Sequence, residues 1–306
     1  MSVSANIIVE KVLILCLMIL VGYLLGKFRI ISQTGKKEMT SVLFYIVTPC
    51  LIVSSLQSTI GQVSVAQLAS SGWLSLLAML LCILISAPFF RRCPPERGKV
   101  LRFASAYSNC GFIGLPLAQA ILGSRGAAYS SMFIAAFNLF VWTHGLTSMR
   151  QSRTVEPRKL LLNPGIIGLA IGFPLFAASI RLPEILSYPI RSFADLNTPL
   201  AMLVVGAYIS DVPFREIFND PDLYRMAAIR LLLIPAVCGA LLLPTGIDRT
   251  IVTTILIMCA SPSGANTVMF SAQFGGDAQL ASKAIALTTL LSMVTILPFA
   301  MAASII

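Results

Sequence analysis

The sequence predicts an all-α polytopic membrane protein of ten transmembrane helices. They form two five-helix repeats of opposite orientation, with broken, crossing helices in spans four and nine. Three observations carry this expectation. The 306 residues are 57% hydrophobic and 11% charged, with mean hydropathy +0.88, far from the roughly 25% charged residues of soluble domains. The charged residues cluster between apolar runs of about 20 residues, the length that crosses a hydrocarbon core as a helix. Short motifs also recur half a chain apart.

The first span covers about 7–26. Its apolar run follows Glu10-Lys11 and leads into Gly26-Lys27-Phe28-Arg29. A signal peptide would end at a small-residue cleavage site instead, so the run reads as an uncleaved span. Residues 39–90 contain no charge over 52 positions, room for a second and third span joined through a polar stretch near 57–67. A basic loop at 91–102 precedes the fourth span (103–122). Gly123-Ser124-Arg125-Gly126 separates it from the fifth (127–149). Arg150, Arg153, Glu156, Arg158 and Lys159 make the next connection, before a sixth span at 160–180. The seventh (194–210), eighth (224–243), ninth (251–274) and tenth (from 280) complete the count. The repeats are 1–150 and 151–306.

Lys and Arg set orientation. With the N-terminus outside, 16 of them fall in inside connections and five outside, Arg230 being left uncounted within span eight. Both termini are therefore expected outside. Thr48-Pro49 recurs as Thr198-Pro199, 150 residues on; Gly22-x-x-x-Gly26 recurs as Gly168-x-x-x-Gly172, 146 on; Gly126-Ala127 matches Asp277-Ala278, 151 on. Five spans per half is an odd number, so the second half is inverted relative to the first.

The fourth span carries Ser108-Asn109-Cys110-Gly111-Phe112-Ile113-Gly114-Leu115-Pro116, and the ninth carries Ser261-Pro262-Ser263-Gly264-Ala265-Asn266-Thr267. Proline removes a backbone donor and glycine loosens the helix. Lipid cannot satisfy the freed groups, so such breaks persist only inside protein or beside a water-filled cavity. Two breaks in corresponding positions of two halves point to a transporter's binding site.

Other classes fit less well. The net charge of +10 sits in connections and marks topology rather than nucleic-acid binding. The seven cysteines (Cys16, Cys50, Cys82, Cys93, Cys110, Cys238, Cys259) show no CxxC spacing, which argues against a metal site or a disulfide framework. No acidic motif or histidine pair lies within a span, against a membrane-embedded enzyme. No phosphate-binding loop motif occurs. No catalytic residue, metal or cofactor is expected.

These residues resemble the auxin efflux carrier family of plants and microbes along the whole chain. Asn109 followed by Gly114-Leu115-Pro116 resembles the fourth-span motif of the plant carriers. Pro262-x-Gly264 with Phe270 resembles their ninth-span pattern. Thr48-Pro49, Asn163-Pro164-Gly165 and Asn197-Thr198-Pro199 resemble microbial members. The resemblance implies a scaffold of spans 1, 2, 6 and 7 and a transport domain of spans 3–5 and 8–10. It also implies a small organic anion as substrate, of the class of auxin-like acids or dicarboxylates such as malonate. The long central loop of the plant carriers is absent, and Thr267 stands where their ninth-span proline lies.

At the breaks, half-helix N-termini offer free amides and the positive end of a dipole to a carboxylate. Asn109, Cys110, Gly111, Gly114 and Pro116, with Ser261, Pro262, Ser263, Asn266 and Thr267, are the candidate contacts; the alternative is that their polar groups only mend the broken backbone, which suits the serines better than substrate contact. Thr48, Pro49, Asn197, Thr198 and Pro199 either face this site from the scaffold or only kink it. Lys283, just inside span ten, either snorkels to the inner surface or supplies a fixed positive charge. Arg230 is expected to snorkel, and His144 is a candidate proton carrier. The expectation is a secondary carrier of a small organic anion in the cytoplasmic membrane, surrounded by lipid and pairing as a homodimer through the scaffold spans. A non-transporting receptor with the same fold is the alternative.

Overall fold

Prolines and glycines shape the helices more than polar loops do. The computed structural model describes residues 5–150, 162–212 and 214–305. Its principal helices are α1 (Ala5–Lys27), α2 (Gln33–Ser58), α3 (Val65–Ser86), α4 (Pro95–Ala106), α5 (Cys110–Arg150) and α6 (Pro164–Ala177). There follow α7 (Glu184–Ile209), α8 (Pro221–Thr245), α9 (Arg249–Ala260), α10 (Asn266–Gln273) and α11 (Ala278–Ile305).

Three of these helices contain a widened π turn directly before an X-Pro pair. Leu43–Val47 precedes Thr48-Pro49, Cys110–Gly114 precedes Leu115-Pro116, and Ile229–Leu233 precedes Ile234-Pro235. The proline ring clashes with the carbonyl four residues back and donates nothing to it, so the turn opens. At the first, the Leu43 carbonyl accepts from both the Thr48 amide and the Thr48 hydroxyl, the latter at 2.8 Å.

Among the described residues seven helices are long and apolar enough to cross a membrane, and α6 and α9 are shorter apolar helices. The sequence count of ten differs for physical reasons. The expected fourth span is split, leaving α4 as a separate helix. Its second part runs on into the fifth as the 41 residues of α5, through a sharp turn at Gly123 (φ 65°, ψ −148°). The ninth is divided into α9 and α10. The charged residues Arg153, Glu156, Arg158 and Lys159, and the start of the sixth span, lie outside the described residues. The seventh helix begins earlier than expected: Glu184–Asp195 is helical and leads through Leu196 into Asn197–Ile209.

Two helix pairs meet through glycine. α1 packs on the second segment of α7, where a Cβ on Gly22 would strike the Leu203 carbonyl and one on Gly206 the Ile19 carbonyl. The second half of α2 packs on α6, where a Cβ on Gly168 would lie 2.7 Å from Pro49 Cα and one on Gly172 2.9 Å from Leu56. Without side chains at these points the backbones approach closely, as in small-residue helix contacts within membranes. Leu13, Leu17, Trp73, Leu84 and Val294 are exposed on the outer faces of α1, α3 and α11, as a lipid-facing surface requires.

Polar contacts define two ends. At one end Lys36 pairs with Asp211, Arg97 with Asp220, and Lys283 with Glu216. Lys99, nearly buried, donates to the Phe274 carbonyl at 2.8 Å. At the other end Gln57 bridges the Ile180 carbonyl and the Leu182 amide, and Arg125 donates to the Gln62 carbonyl. Lys36, Arg97, Lys99 and Lys283 thus all have their partners at one end.

Candidate functional site

The two interruptions meet. Pro262 disfavours helical backbone at the residue before it, and Ser261 is extended (φ −64°, ψ 148°), ending α9. Tyr107, likewise extended, ends α4. Ser108 and Ser263 form an antiparallel bridge: the Asn109 amide donates to the Pro262 carbonyl at 2.6 Å, and the Gly264 amide to the Tyr107 carbonyl at 2.9 Å. A Cβ on Gly264 would sit 2.9 Å from the Ser108 carbonyl oxygen, so the close approach depends on glycine. The broken helices supply one another's missing backbone partners.

Four helix ends surround this bridge. The N-termini are those of α5 and α10, whose first amides lack intrahelical acceptors by position. Asn109 is the cap of α5, its side-chain oxygen accepting from the Phe112 amide at 3.3 Å. The C-termini are those of α4 and α9, and here sequence reasoning missed the central residue. Arg230 does not snorkel. It is fully buried, and its guanidinium donates to the carbonyls of Ser105 (3.1 Å), Ala106 (3.0 Å), Ser261 (3.1 Å) and Cys259. The π turn before Pro235 lies at this position and changes the direction in which its side chains leave the helix. A lone charge inside an apolar run was the available signal.

A crevice of about 80 Å³ lies between the bridge and helices α2 and α7. It is far below the roughly 300–1,000 Å³ of drug-sized sites, so it suits only a small occupant. Asn109, Cys110, Gly111 and Asn266 line it from the broken helices, and Thr48 and Asn197 from α2 and α7. Its walls carry no charged side chain. A Cβ on Gly111 would meet nothing within 4 Å, so this residue borders open space. The Ser108 hydroxyl and the Asn197 side-chain nitrogen, both in the lining, are buried without a hydrogen-bond partner, an arrangement that costs about 1–3 kcal/mol per group unless something fills the role.

The remaining expected residues sit behind the crevice. The Ser261 hydroxyl bonds to the Ile257 carbonyl at 2.8 Å and that of Ser263 to the Ala104 carbonyl at 2.9 Å, so both mend backbone. Gly114 packs on Met258 and Ser261, and Pro49 on Gly168. Pro116 is buried in the first turn after the π segment of α5, and Pro262 serves through its carbonyl. The Thr267 hydroxyl is buried and unpartnered within α10. Thr198 is half-buried and Pro199 exposed on α7. Lys283 is held by Glu216 at 2.8 Å and does not line the crevice.

Asn138, which sequence reasoning passed over, also lines the crevice. Its side-chain oxygen accepts from Asn163 at 3.4 Å, and Asn163 caps α6 through the Gly165 amide at 2.9 Å. His144 shares a 2.9 Å hydrogen bond with the Tyr107 hydroxyl, beside the bridge. No group of three or more His, Cys, Asp or Glu residues is arranged to hold a metal among the described residues. A larger open groove lies against α3 and α9, between Trp73 and Asp248, apart from the bridge.

Residues 7–157 and 147–300 match the profile of a family described as membrane transport protein. The chain is 23% identical over 297 residues to a Rhizobium meliloti protein named "Putative malonate transporter", covering 91% of this chain and 90% of that one. It is 22% identical over 299 residues to an "Uncharacterized transporter" of Methanothermobacter thermautotrophicus, covering 94% and 95% of the two chains.

Proposed function

The chain belongs to the membrane transport protein family, the auxin efflux carriers, and on that premise we propose that it is a secondary carrier of a small organic anion. One observation carries the reading. Two half-helix N-termini, with Asn109 and Asn266, line a small, uncharged crevice whose mostly apolar walls carry a few polar groups, where the broken helices face the scaffold. Aligned peptide dipoles place roughly half a positive charge at each N-terminus, which favours a carboxylate without a basic side chain. The name of the Rhizobium meliloti relative makes malonate the first candidate.

In this reading the chain crosses the cell membrane ten times, with both termini outside. α4 with the first limb of α5 makes one crossing, the second limb of α5 the next, and α9 with α10 another. Inverted five-helix repeats are supported by the glycine contacts: span one meets span seven as span six meets span two. The scaffold comprises α1, α2, α6 and α7. The helices α3–α5 and α8–α11 carry the anion across in an elevator-like, alternating-access movement. The exposed apolar scaffold faces suit lipid or a second copy of the chain.

Flux separates a carrier from a receptor of the same fold. A thermal-shift panel of small carboxylates identifies the ligand, and proteoliposomes then test its movement. Saturable uptake is expected; stabilisation by the ligand with no flux would assign the receptor role instead.

A further inference from the structure

Arg230 places a full positive charge deep in the protein, 0% exposed, with no carboxylate among its hydrogen-bond partners. Four backbone carbonyls surround it, two from the end of α4 and two from the end of α9. Each helix C-terminus carries roughly half a negative charge, so two together match one guanidinium. Carbonyls gathered from half-helix C-termini are also the shell in which ion-coupled carriers hold their cation, oxygen ligands being those that hard cations prefer.

We propose that Arg230 is a built-in cation of this carrier, its guanidinium occupying the place where a coupling metal ion would otherwise be gathered. It is a positioning residue, touching helix ends rather than the crevice. Because the site is loaded at all times, the negative ends of α4 and α9 are neutralised whether or not substrate is present. The positive ends of α5 and α10 then face the anion without an opposing field. This deepens the anion-carrier reading and rests on it.

If charge is what the crossing needs, a free cation should replace the lost side chain. Thermal unfolding of purified wild type and Arg230→Ala is compared in millimolar guanidinium chloride, sodium chloride and choline chloride. Guanidinium should raise the melting temperature of Arg230→Ala by several degrees in a saturable manner, choline should not, and wild type should respond to neither. Identical responses of Arg230→Ala to guanidinium and choline would overturn the proposal. Arg230→Lys, which keeps the charge with fewer donors, and Arg230→Gln, which loses it, provide the second arm. Lysine should preserve malonate-dependent stabilisation, and glutamine should weaken it at least tenfold. Equal malonate affinity in the two, or a lysine variant as unstable as alanine, would show that hydrogen-bond geometry and not charge is at work. If malonate and other small carboxylates fail to stabilise wild type, the anion reading fails, and the guanidinium arm still decides Arg230.

Discussion

The backbone amide of Asn109 donates to the carbonyl of Pro262 across 2.6 Å, joining the residue that caps one broken helix to the residue that breaks the other. With the return bond from Gly264 to Tyr107, this makes the crossing one rigid unit. Substitutions there should separate folding from binding according to which atoms they touch.

Asn109 is attached to the bridge by its backbone, and its side chain faces the crevice while capping α5. Asn109→Ala should lose a cap worth about 1 kcal/mol and a ligand hydrogen bond worth about 1.5–3 kcal/mol, roughly 10- to 150-fold in affinity. Asn109→Asp keeps the capping oxygen but opposes an anion, so it should melt like wild type and fail to bind. Tight carboxylate binding by the folded aspartate variant would remove Asn109 from the site.

Two glycines should behave oppositely. A Cβ at Gly206 collides with backbone of α1, whereas one at Gly111 meets nothing within 4 Å. Gly206→Ala should cost about 1–3 kcal/mol through forced separation of α1 and α7, seen as a lower melting temperature. Gly111→Ala should melt normally and weaken substrate binding by narrowing the crevice. A Gly111→Ala variant with unchanged affinity would mean the ligand sits elsewhere.

Lys283 pairs with Glu216, whose side chain is 46% exposed, so the contact is partly screened and worth about 0–1 kcal/mol. Lys283→Gln should therefore leave both abundance and anion affinity near wild type in parallel binding and expression assays. A large loss of affinity at normal abundance would return this lysine to the site.

Among the described residues, the crevice walls carry no charged side chain and so no carboxylate to hold sodium. An anion leaving an inside-negative cell gains about 2.3 kcal/mol per charge per 100 mV. Flux in proteoliposomes should follow the imposed potential and persist when sodium is replaced by choline. A strict sodium requirement would reject this energetic scheme.

Much of this protein was determined by the sequence alone, because lipid leaves so few options. Apolar runs had to become helices, Pro262 and Gly264 had to interrupt one of them, and the lysines and arginines other than Arg230 had to lie between runs or at their ends. The glycine motifs at Gly22 and Gly168 marked an internal repeat, and the structure shows both as close helix contacts. Asn109, Asn266, Thr48 and Asn197 could be singled out because polar residues beside helix breaks are rare in apolar runs.

Only the tertiary structure decided which groups satisfy one another. Ser261 and Ser263 bond to carbonyls of broken backbone while the Asn197 side-chain nitrogen is left unpartnered beside the crevice, and nothing local to either stretch tells which polar group finds a partner. Lys283 and Arg230 are both single charges near apolar runs. One is held at a helix end by an acidic neighbour, the other by four carbonyls drawn from helices more than 120 residues apart in the chain. No local pattern encodes that convergence: it exists only when α4, α8 and α9 are packed together, and the cost of burying an unpaired charge makes that packing specific.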